Sequence, residues 1–125
     1  MKDNPDNPYE ALEKIFHEPN RLAIMSALCA AEEGLTFIQL KEQCGLTDGN
    51  LNRHLKVLEE AEAVTIDKAF VDAKPRTTIL LSKKGLASFS EYLDALGQVL
   101  KKAKDAMPAE KKVKVTAGLA RAVTT

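Results

Sequence analysis

The chain has 125 residues, 18 basic and 18 acidic side chains, no net charge and a hydrophobic fraction of 45%. This length suits a single domain with its own core. No apolar run approaches the roughly 20 residues that cross a bilayer, so we predict no membrane span. Two cysteines are too few for a disulfide framework, which favours a reducing, cytoplasmic setting. A zero net charge excludes a uniformly basic surface, so any nucleic-acid contact must use a local basic face.

A first helix is predicted before position 18. The segment 7–10 combines an asparagine N-cap, a proline at the first helical position and an acidic side chain at the third. The helix is predicted to run to about Phe16, with Tyr9 and Leu12 on the same apolar side. We therefore expect the folded domain to begin near residue 8.

Two further helices are predicted next. Pro19 begins one that runs to about Glu32, and Gly34 is expected to end it in the left-handed cap position. Thr36 is suited to cap the following helix, which Gly45 terminates.

The pattern of residues 46–64 predicts a helix, and this helix gives the strongest indication of function. Thr47 suits its N-cap, and leucines at positions 51, 55 and 58 line one face at helical spacing. The opposite face and its flanks carry small, amide and basic side chains near the helix N-terminus, which is the chemistry that enters a DNA major groove. Together with the helix before it, this segment predicts a helix-turn-helix and a recognition helix. The outer residues are Gly49, Asn50, Asn52, Arg53 and Lys56.

A hairpin is predicted after the recognition helix. Residues 63–70 and 77–81 are β-branched segments, joined by a predicted turn over residues 72–76. Lys74 and Arg76 give this hairpin a basic tip, and arginine is suited to a narrow minor groove. The alternative is an ordinary polar hairpin tip.

Ser82 is expected to cap a long last helix over about residues 83–107. Its apolar residues recur at intervals of three and four, as in a coiled-coil seam. The first helix can cover part of this stripe, but a helix past Leu96 outruns the core, so we predict a twofold homodimer. Residues 108–125 are predicted to form a basic tail, either disordered or weakly helical. The predicted dimer residues are Tyr9, Leu12, Phe16, Phe89, Leu93, Leu96 and Leu100.

No residue pattern predicts a metal site or a catalytic centre. His17, Cys29, Cys44 and His54 lack a closely spaced cysteine pair or a His-x-x-x-His arrangement. Both cysteines are predicted to face inward, and His54, beside the apolar helix face, is predicted to be packed and hydrogen-bonded. A glycine-rich phosphate loop, a nucleophile elbow and an isolated acid–base pair are all absent. We therefore predict no metal, no cofactor and no enzyme activity.

Several segments together resemble the small winged helix-turn-helix transcriptional regulators related to the MarR and ArsR families. The resemblance implies an α+β, mainly helical fold, in which a winged helix-turn-helix DNA-binding domain carries a long C-terminal dimerisation helix, over residues 8–107. The resemblance itself covers about residues 16–92. The matching segments are residues 17–22, 46–55, 58–61, 70–78 and 81–85.

This resemblance implies a homodimeric transcriptional regulator that binds double-stranded DNA sequence-specifically, with the recognition helix in the major groove and the wing beside the minor groove. An unidentified small-molecule effector between the DNA-binding lobe and the dimer helices also fits the class, although no residue identifies it. The residues carried over by position are Asn50, Asn52 and Arg53 for base edges or nearby phosphates, Thr47, Gly49 and Lys56 for the DNA backbone, and Lys74 and Arg76 for the wing contact.

Two positions depart from the family pattern. Glu62–Ala63 stands where members commonly have a glycine that closes the recognition helix, so a strained or different cap is expected. Asp72 places an acid in the wing, which weakens the attraction of phosphate there. The alternative function is a winged-helix protein-interaction module that does not bind DNA, which the zero net charge and the acidic residues at 59, 60 and 62 favour.

Overall fold

The computed structural model describes residues 14–108. The chain divides into two compact units, Met1–Tyr92 and Leu93–Thr125. The predicted dimer residues Tyr9 and Leu12, and the tail from residue 109 onward, lie outside the described residues. Residues 14–16 are helical. The elements after them are α1 (Pro19–Cys29), β1 (Leu35–Thr36), α2 (Phe37–Cys44), α3 (Asp48–Glu60), β2 (Val64–Val71), β3 (Lys74–Leu81) and α4 (Lys83–Ala106).

Helix α1 begins at Pro19 as predicted, and the side chain of Glu18 caps it by accepting a hydrogen bond from the Arg21 N–H at 2.8 Å. The helix ends at Cys29, before the predicted end near residue 32, with its C-cap at Ala30. Gly34 therefore does not cap the helix. It lies in the turn before β1, where its φ is 82°.

Helices α2 and α3 form the predicted helix-turn-helix. Thr36 and Gln39 form a reciprocal capping box at the start of α2. Gly45 ends α2 with a φ of 65°, a left-handed conformation that glycine adopts without a steric cost. Two residues later the Thr47 hydroxyl caps α3 by accepting from the Asn50 N–H at 3.2 Å. The caps on both sides of the turn set where one helix stops and the next begins.

The sheet is antiparallel, with strand order β1-β3-β2. The hairpin register runs from Val64 opposite Leu81 to Val71 opposite Lys74, so the turn is only residues 72–73. This is shorter than the predicted turn over 72–76, because both turn residues adopt positive φ, 54° and 65°, as a two-residue hairpin loop requires. Pro75 consequently belongs to β3, at a part of the strand that β1 does not pair with.

The core of the first unit joins the three-helix layer to one face of the hairpin. All four helices and the strands β2 and β3 contribute apolar side chains that are almost completely buried. Close packing of this kind supplies most of the stability of a domain of this size. The buried residues include Ile24, Met25 and Leu28 of α1, Leu40 of α2, Leu51, Leu55 and Leu58 of α3, Ile79 of β3, and Phe89 and Tyr92 of α4.

Phe16 and Phe89, two of the predicted dimer residues, belong to this core. Their rings meet edge to face with centroids 5.2 Å apart, and each side chain is only 2% exposed. Phe16 thus covers part of the apolar stripe of α4 from within the same chain, as the sequence allowed. These two side chains therefore have almost no surface to offer a partner.

The described part of the second unit, residues 93–108, is helical through Ala106. Along it, Leu96 is half-buried, whereas Leu93 and Leu100 are 43% and 61% exposed. Lys101 and Asp105 form an ion pair at 3.0 Å along the helix surface. Within residues 14–108, no helix combines the length and the apolar character that crossing a membrane requires.

Candidate nucleic-acid interface

Helix α3 separates an apolar face from a polar one. Its three leucines at 51, 55 and 58 are buried together with His54, as the helical spacing predicted. The opposite face is open to solvent near the helix N-terminus. All the outer residues predicted for this helix are exposed: Gly49, Asn50, Asn52, Arg53 and Lys56. Thr47, also exposed, contributes its hydroxyl to the cap described above.

Arg53 is held in place on this face by a neighbour one turn away. Its guanidinium donates to the Asn50 Oδ1 at 3.2 Å, an i, i+3 contact on the exposed surface. The bond leaves further guanidinium N–H donors of Arg53 for an external acceptor. An arginine oriented in this way is suited to the paired acceptors on a guanine edge.

The only acid in the first turn of α3 is neutralised. Asp48 forms an ion pair with Lys41 of α2 at 2.8 Å, and the hydrogen bond and charge of Asp48 raise the pKa of the Lys41 ammonium. At the other end of the helix, Glu59 and Glu60 are exposed. The charge of α3 thus changes sign along its length, and an anion is favoured at the N-terminal half.

The hairpin register divides its charged residues between two faces. Side chains alternate along each strand, so Lys74 and Arg76 share one face with Asp67. Lys68 lies on the other face, in line with the buried residue Ile79. Lys68 was not predicted as a site residue. The alternation of side chains along β2 places Lys68 on one of the two faces of the hairpin. Only the register shows that this is the face that carries the buried residue Ile79.

The face that carries Lys68 turns toward α3. Asn52 and Leu55 of α3 line a cleft of about 280 Å³ together with Ile66, Lys68 and Thr77 of the hairpin. Lys68 of the hairpin and Asn52 of the predicted recognition helix therefore line the same cleft. Within residues 14–108, none of the cations Lys56, Lys68, Lys74 and Arg76 forms an ion pair.

His54 is buried and hydrogen-bonded, as predicted. The Arg21 guanidinium donates to its Nδ1 at 3.2 Å, and the Nε of Arg21 donates to the carbonyl of Ile15 at 2.6 Å. The Glu18 carboxylate lies 3.9 Å from the same Nδ1. This polar cluster therefore joins α3 to α1 and to the helical residues before it.

The four side chains considered for a metal are separated. His17 pairs its Nδ1 with the hydroxyl of Tyr92 at 2.7 Å, whereas His54 belongs to the Arg21 cluster. Cys29 is exposed, contrary to the prediction that it faces inward, because it is the last residue of α1. Partial burial raises the pKa of both cysteine thiols, which disfavours reactive thiolates. In the part of the chain that the structure describes, no three potential metal ligands cluster.

Comparison with known families agrees with this architecture. A family described as the winged helix DNA-binding domain matches residues 20–100. The chain belongs to this winged helix family. An uncharacterized protein of Methanocaldococcus jannaschii is 38% identical over 88 residues, which is 70% of this chain and 95% of the relative.

Solved structures share the winged helix fold. The transcriptional regulator homologue protein from Pyrococcus horikoshii OT3 is 30% identical, with a TM-score of 0.69 over 77% of this chain and 96% of that one. MepR, a transcription regulator of the Staphylococcus aureus multidrug efflux pump MepA, is 18% identical, with a TM-score of 0.64 over 94% and 85%. A MarR family transcriptional regulator from Silicibacter pomeroyi is 16% identical, with a TM-score of 0.58 over 93% and 75%. The last two show likeness of fold alone. The predicted winged helix fold and its MarR-like architecture are confirmed.

The winged helix of this chain closes its recognition helix without glycine. Glu62, at the position where the family pattern has glycine, has a φ of 61°, so the expected strained cap is present. Its side chain forms an ion pair with Lys84 at 2.6 Å, and the hydrogen bond from Lys84 lowers the pKa of the Glu62 carboxyl. The pair links the end of α3 to the start of α4.

Proposed function

We propose that the chain is a transcriptional regulator that binds double-stranded DNA sequence-specifically as a homodimer. Helix α3 enters the major groove through its N-terminal half, and the β2–β3 wing lies beside the minor groove. The observation that carries this proposal is the outer face of α3, where Asn50, Arg53 and Lys56 are exposed beside a capped helix-turn-helix. Membership of the winged helix DNA-binding domain family supports it.

Each side chain has a distinct role in this proposal. Arg53, oriented by Asn50, reads a base edge, and Asn52 reaches a base edge or a nearby phosphate. Lys56, one turn further along, neutralises a phosphate, and Thr47 and Gly49 approach the DNA backbone. Lys74 and Arg76 contact the DNA from the wing. Two protomers related by a twofold axis then read half-sites about 34 Å apart.

The proposed dimer uses the exposed leucines of the second unit. Leu93 and Leu100 are open to solvent in the single chain, and Leu96, between them, is half-buried. Three leucines at this spacing form a seam that a second helix can cover. The remaining predicted dimer residues, at 9 and 12, belong to the same proposal.

Selection of bound duplexes from random DNA, followed by fluorescence anisotropy at several salt concentrations, tests the proposal. The selected sequence should be pseudo-palindromic, and its affinity should fall steeply with salt because phosphate contacts release counterions. Arg53→Ala should remove discrimination between the selected and a scrambled duplex. Lys56→Ala should weaken both duplexes similarly and reduce the salt slope by about one.

Lys83→Ala is the matched control, since Lys83 is an exposed lysine at the hairpin end away from the turn. It should leave both affinities unchanged. A chain that binds no duplex at any salt concentration, but associates tightly with another protein, would instead be the protein-interaction module. Unchanged discrimination in Arg53→Ala would refute the role assigned to α3.

A further inference from the structure

Phe70 is a large apolar side chain left in solvent near the tip of the wing. It is 78% exposed, the highest value among the large apolar residues exposed within residues 14–108. Burying such a side chain in an interface removes apolar surface from water and stabilises the complex. It is the penultimate residue of β2, beside the two-residue turn, and the other residues of 14–108 leave most of its side chain in solvent.

The register assigns Phe70 to the face of the hairpin that turns toward α3. Three cross-strand pairs follow one another on this face: Ile66 with Ile79, Lys68 with Thr77, and Phe70 with Pro75. The first pair reaches the core, and the second borders the cleft shared with Asn52. The third lies two residues, about 7 Å, further out. Phe70 therefore extends a surface that begins at the exposed side of the recognition helix.

This face carries a positive charge and no negative one. Its only charged residue is Lys68, whereas the opposite face combines Lys74 and Arg76 with Asp67. Asp72 occupies the turn itself, where its charge weakens the attraction of phosphate at the extreme tip. Lys68 therefore attracts a polyanion to the face that carries Phe70, in addition to the contacts proposed for Lys74 and Arg76 on the opposite face.

The combination of an exposed aromatic ring and a neighbouring unpaired lysine matches the minor groove of a duplex. That groove has phosphates along its rims and apolar sugar edges within, and architectural DNA-binding proteins place phenylalanine there. We propose that Phe70 packs against the sugar edges of the minor groove next to the half-site, with Lys68 at the adjacent phosphate. This inference deepens the proposed function and rests on it.

The test compares Phe70→Ala with Val71→Ala on the duplex selected by the native protein. Val71 is the matched control, because it is the next residue, is 36% exposed and lies on the opposite face. Phe70→Ala should weaken binding by about tenfold or more. Val71→Ala should change the affinity by less than about twofold. Because Phe70 is exposed, both variants should melt at the temperature of the native chain.

Hydroxyl-radical footprinting of the same complexes locates the contact. The native protein should protect deoxyriboses in the minor groove that flanks the half-site. Phe70→Ala should lose this flanking protection while it retains the selected sequence preference. Lys68→Ala should reduce the salt slope by about one, whereas Lys83→Ala should not.

The outcomes separate this inference from the function on which it rests. If the native chain binds no duplex, both fail. If it binds, but Phe70→Ala keeps the native affinity and footprint, only the role of Phe70 is overturned. A change of oligomeric state in Phe70→Ala without DNA, measured by light scattering, would assign this face to a contact between copies and would also overturn it.

Discussion

His54 is the buried polar residue of α3, and its protonation state follows from its partner. Arginine has only donors, so the Nδ1 that faces Arg21 must accept, and the ring is neutral with its proton on Nε2. Burial lowers the pKa of His54 below the ordinary value of 6.5, and the charges of Arg53 and Arg21 lower it further, although Glu18 opposes them. The native state therefore binds a proton less readily than the unfolded chain.

His54→Gln tests this linkage. Because the folded pKa of His54 is depressed, its contribution to stability is present above pH 6.5 and is lost as the pH falls below that value. Glutamine keeps an acceptor for Arg21 and does not titrate. We expect the free energy of unfolding of the native chain to decrease between pH 7.5 and pH 5, and that of His54→Gln to decrease less. Urea denaturation at several pH values measures both, and equal slopes would contradict the assignment.

Glu62 combines a left-handed backbone with an exposed ion pair, and two substitutions separate these effects. Glu62→Ala removes the pair with Lys84 but keeps the unfavourable φ of 61°. Glu62→Gly removes the same pair and relieves the backbone. We expect the glycine variant to melt about 4 °C above the alanine variant, as measured by thermal denaturation. Equal melting temperatures would show that the cap is not strained.

The start of α4 packs directly on the strand entry after the recognition helix. The Ser82 hydroxyl accepts from the Gly85 N–H at 2.8 Å, as an N-cap does, and also donates toward the carbonyls of Glu62 and Ala63 at 2.7 and 3.0 Å. A Cβ at Gly85 would lie 1.9 Å from the Ala63 carbonyl oxygen. The backbone of α4 at Gly85 therefore packs directly on the backbone of Ala63, between α3 and the wing, and leaves no room for a side chain.

Gly85→Ala should lower the free energy of unfolding by about 3 kcal/mol, because either the helix or the strand entry must move. Gly97→Ala is the control on the same helix, since a Cβ there meets no atom within 4 Å in the described residues. It should raise stability by up to about 1 kcal/mol through helix propensity. Denaturant titration measures both. A tolerated Gly85→Ala would contradict the close approach.

The zero net charge of the chain conceals two local arrangements. The cations of α3 and the wing are unpaired in the part of the chain described here, whereas Asp48 and Glu62 are each engaged by a lysine. The exposed leucines of residues 93–100 form a separate apolar surface in the second unit. A local basic face and a local apolar seam are therefore compatible with a neutral total.

Leu100→Glu tests the proposed dimer. A charge in the leucine seam should convert a dimer to a monomer and weaken binding to a palindromic duplex, because burial of an unpaired charge is costly. Gln98→Glu adds the same charge on the opposite side of the helix and should leave the dimer intact. Light scattering measures both. A monomeric native chain, or a dimeric Leu100→Glu, would contradict the assignment.

The sequence alone determined the order of the elements, the helix caps at Thr36, Thr47 and Ser82, and the outward face of α3. These features depend on local chemistry, because a cap or a 3.6-residue period is complete within a few neighbouring residues. The unusual closure at Glu62 was expected on different grounds, because the resemblance to winged-helix regulators implied a glycine at that position.

Which residues meet across the fold became known only from the folded chain. The two-residue turn moved Pro75 into β3, and the resulting register put Lys68 and Phe70 on one face and Arg76 on the other. Burial likewise assigned Phe89 to the protomer core, because a stripe of apolar spacing does not reveal whether its partner is the same chain or another. Strand register and core membership depend on pairing between distant residues, which no local pattern specifies.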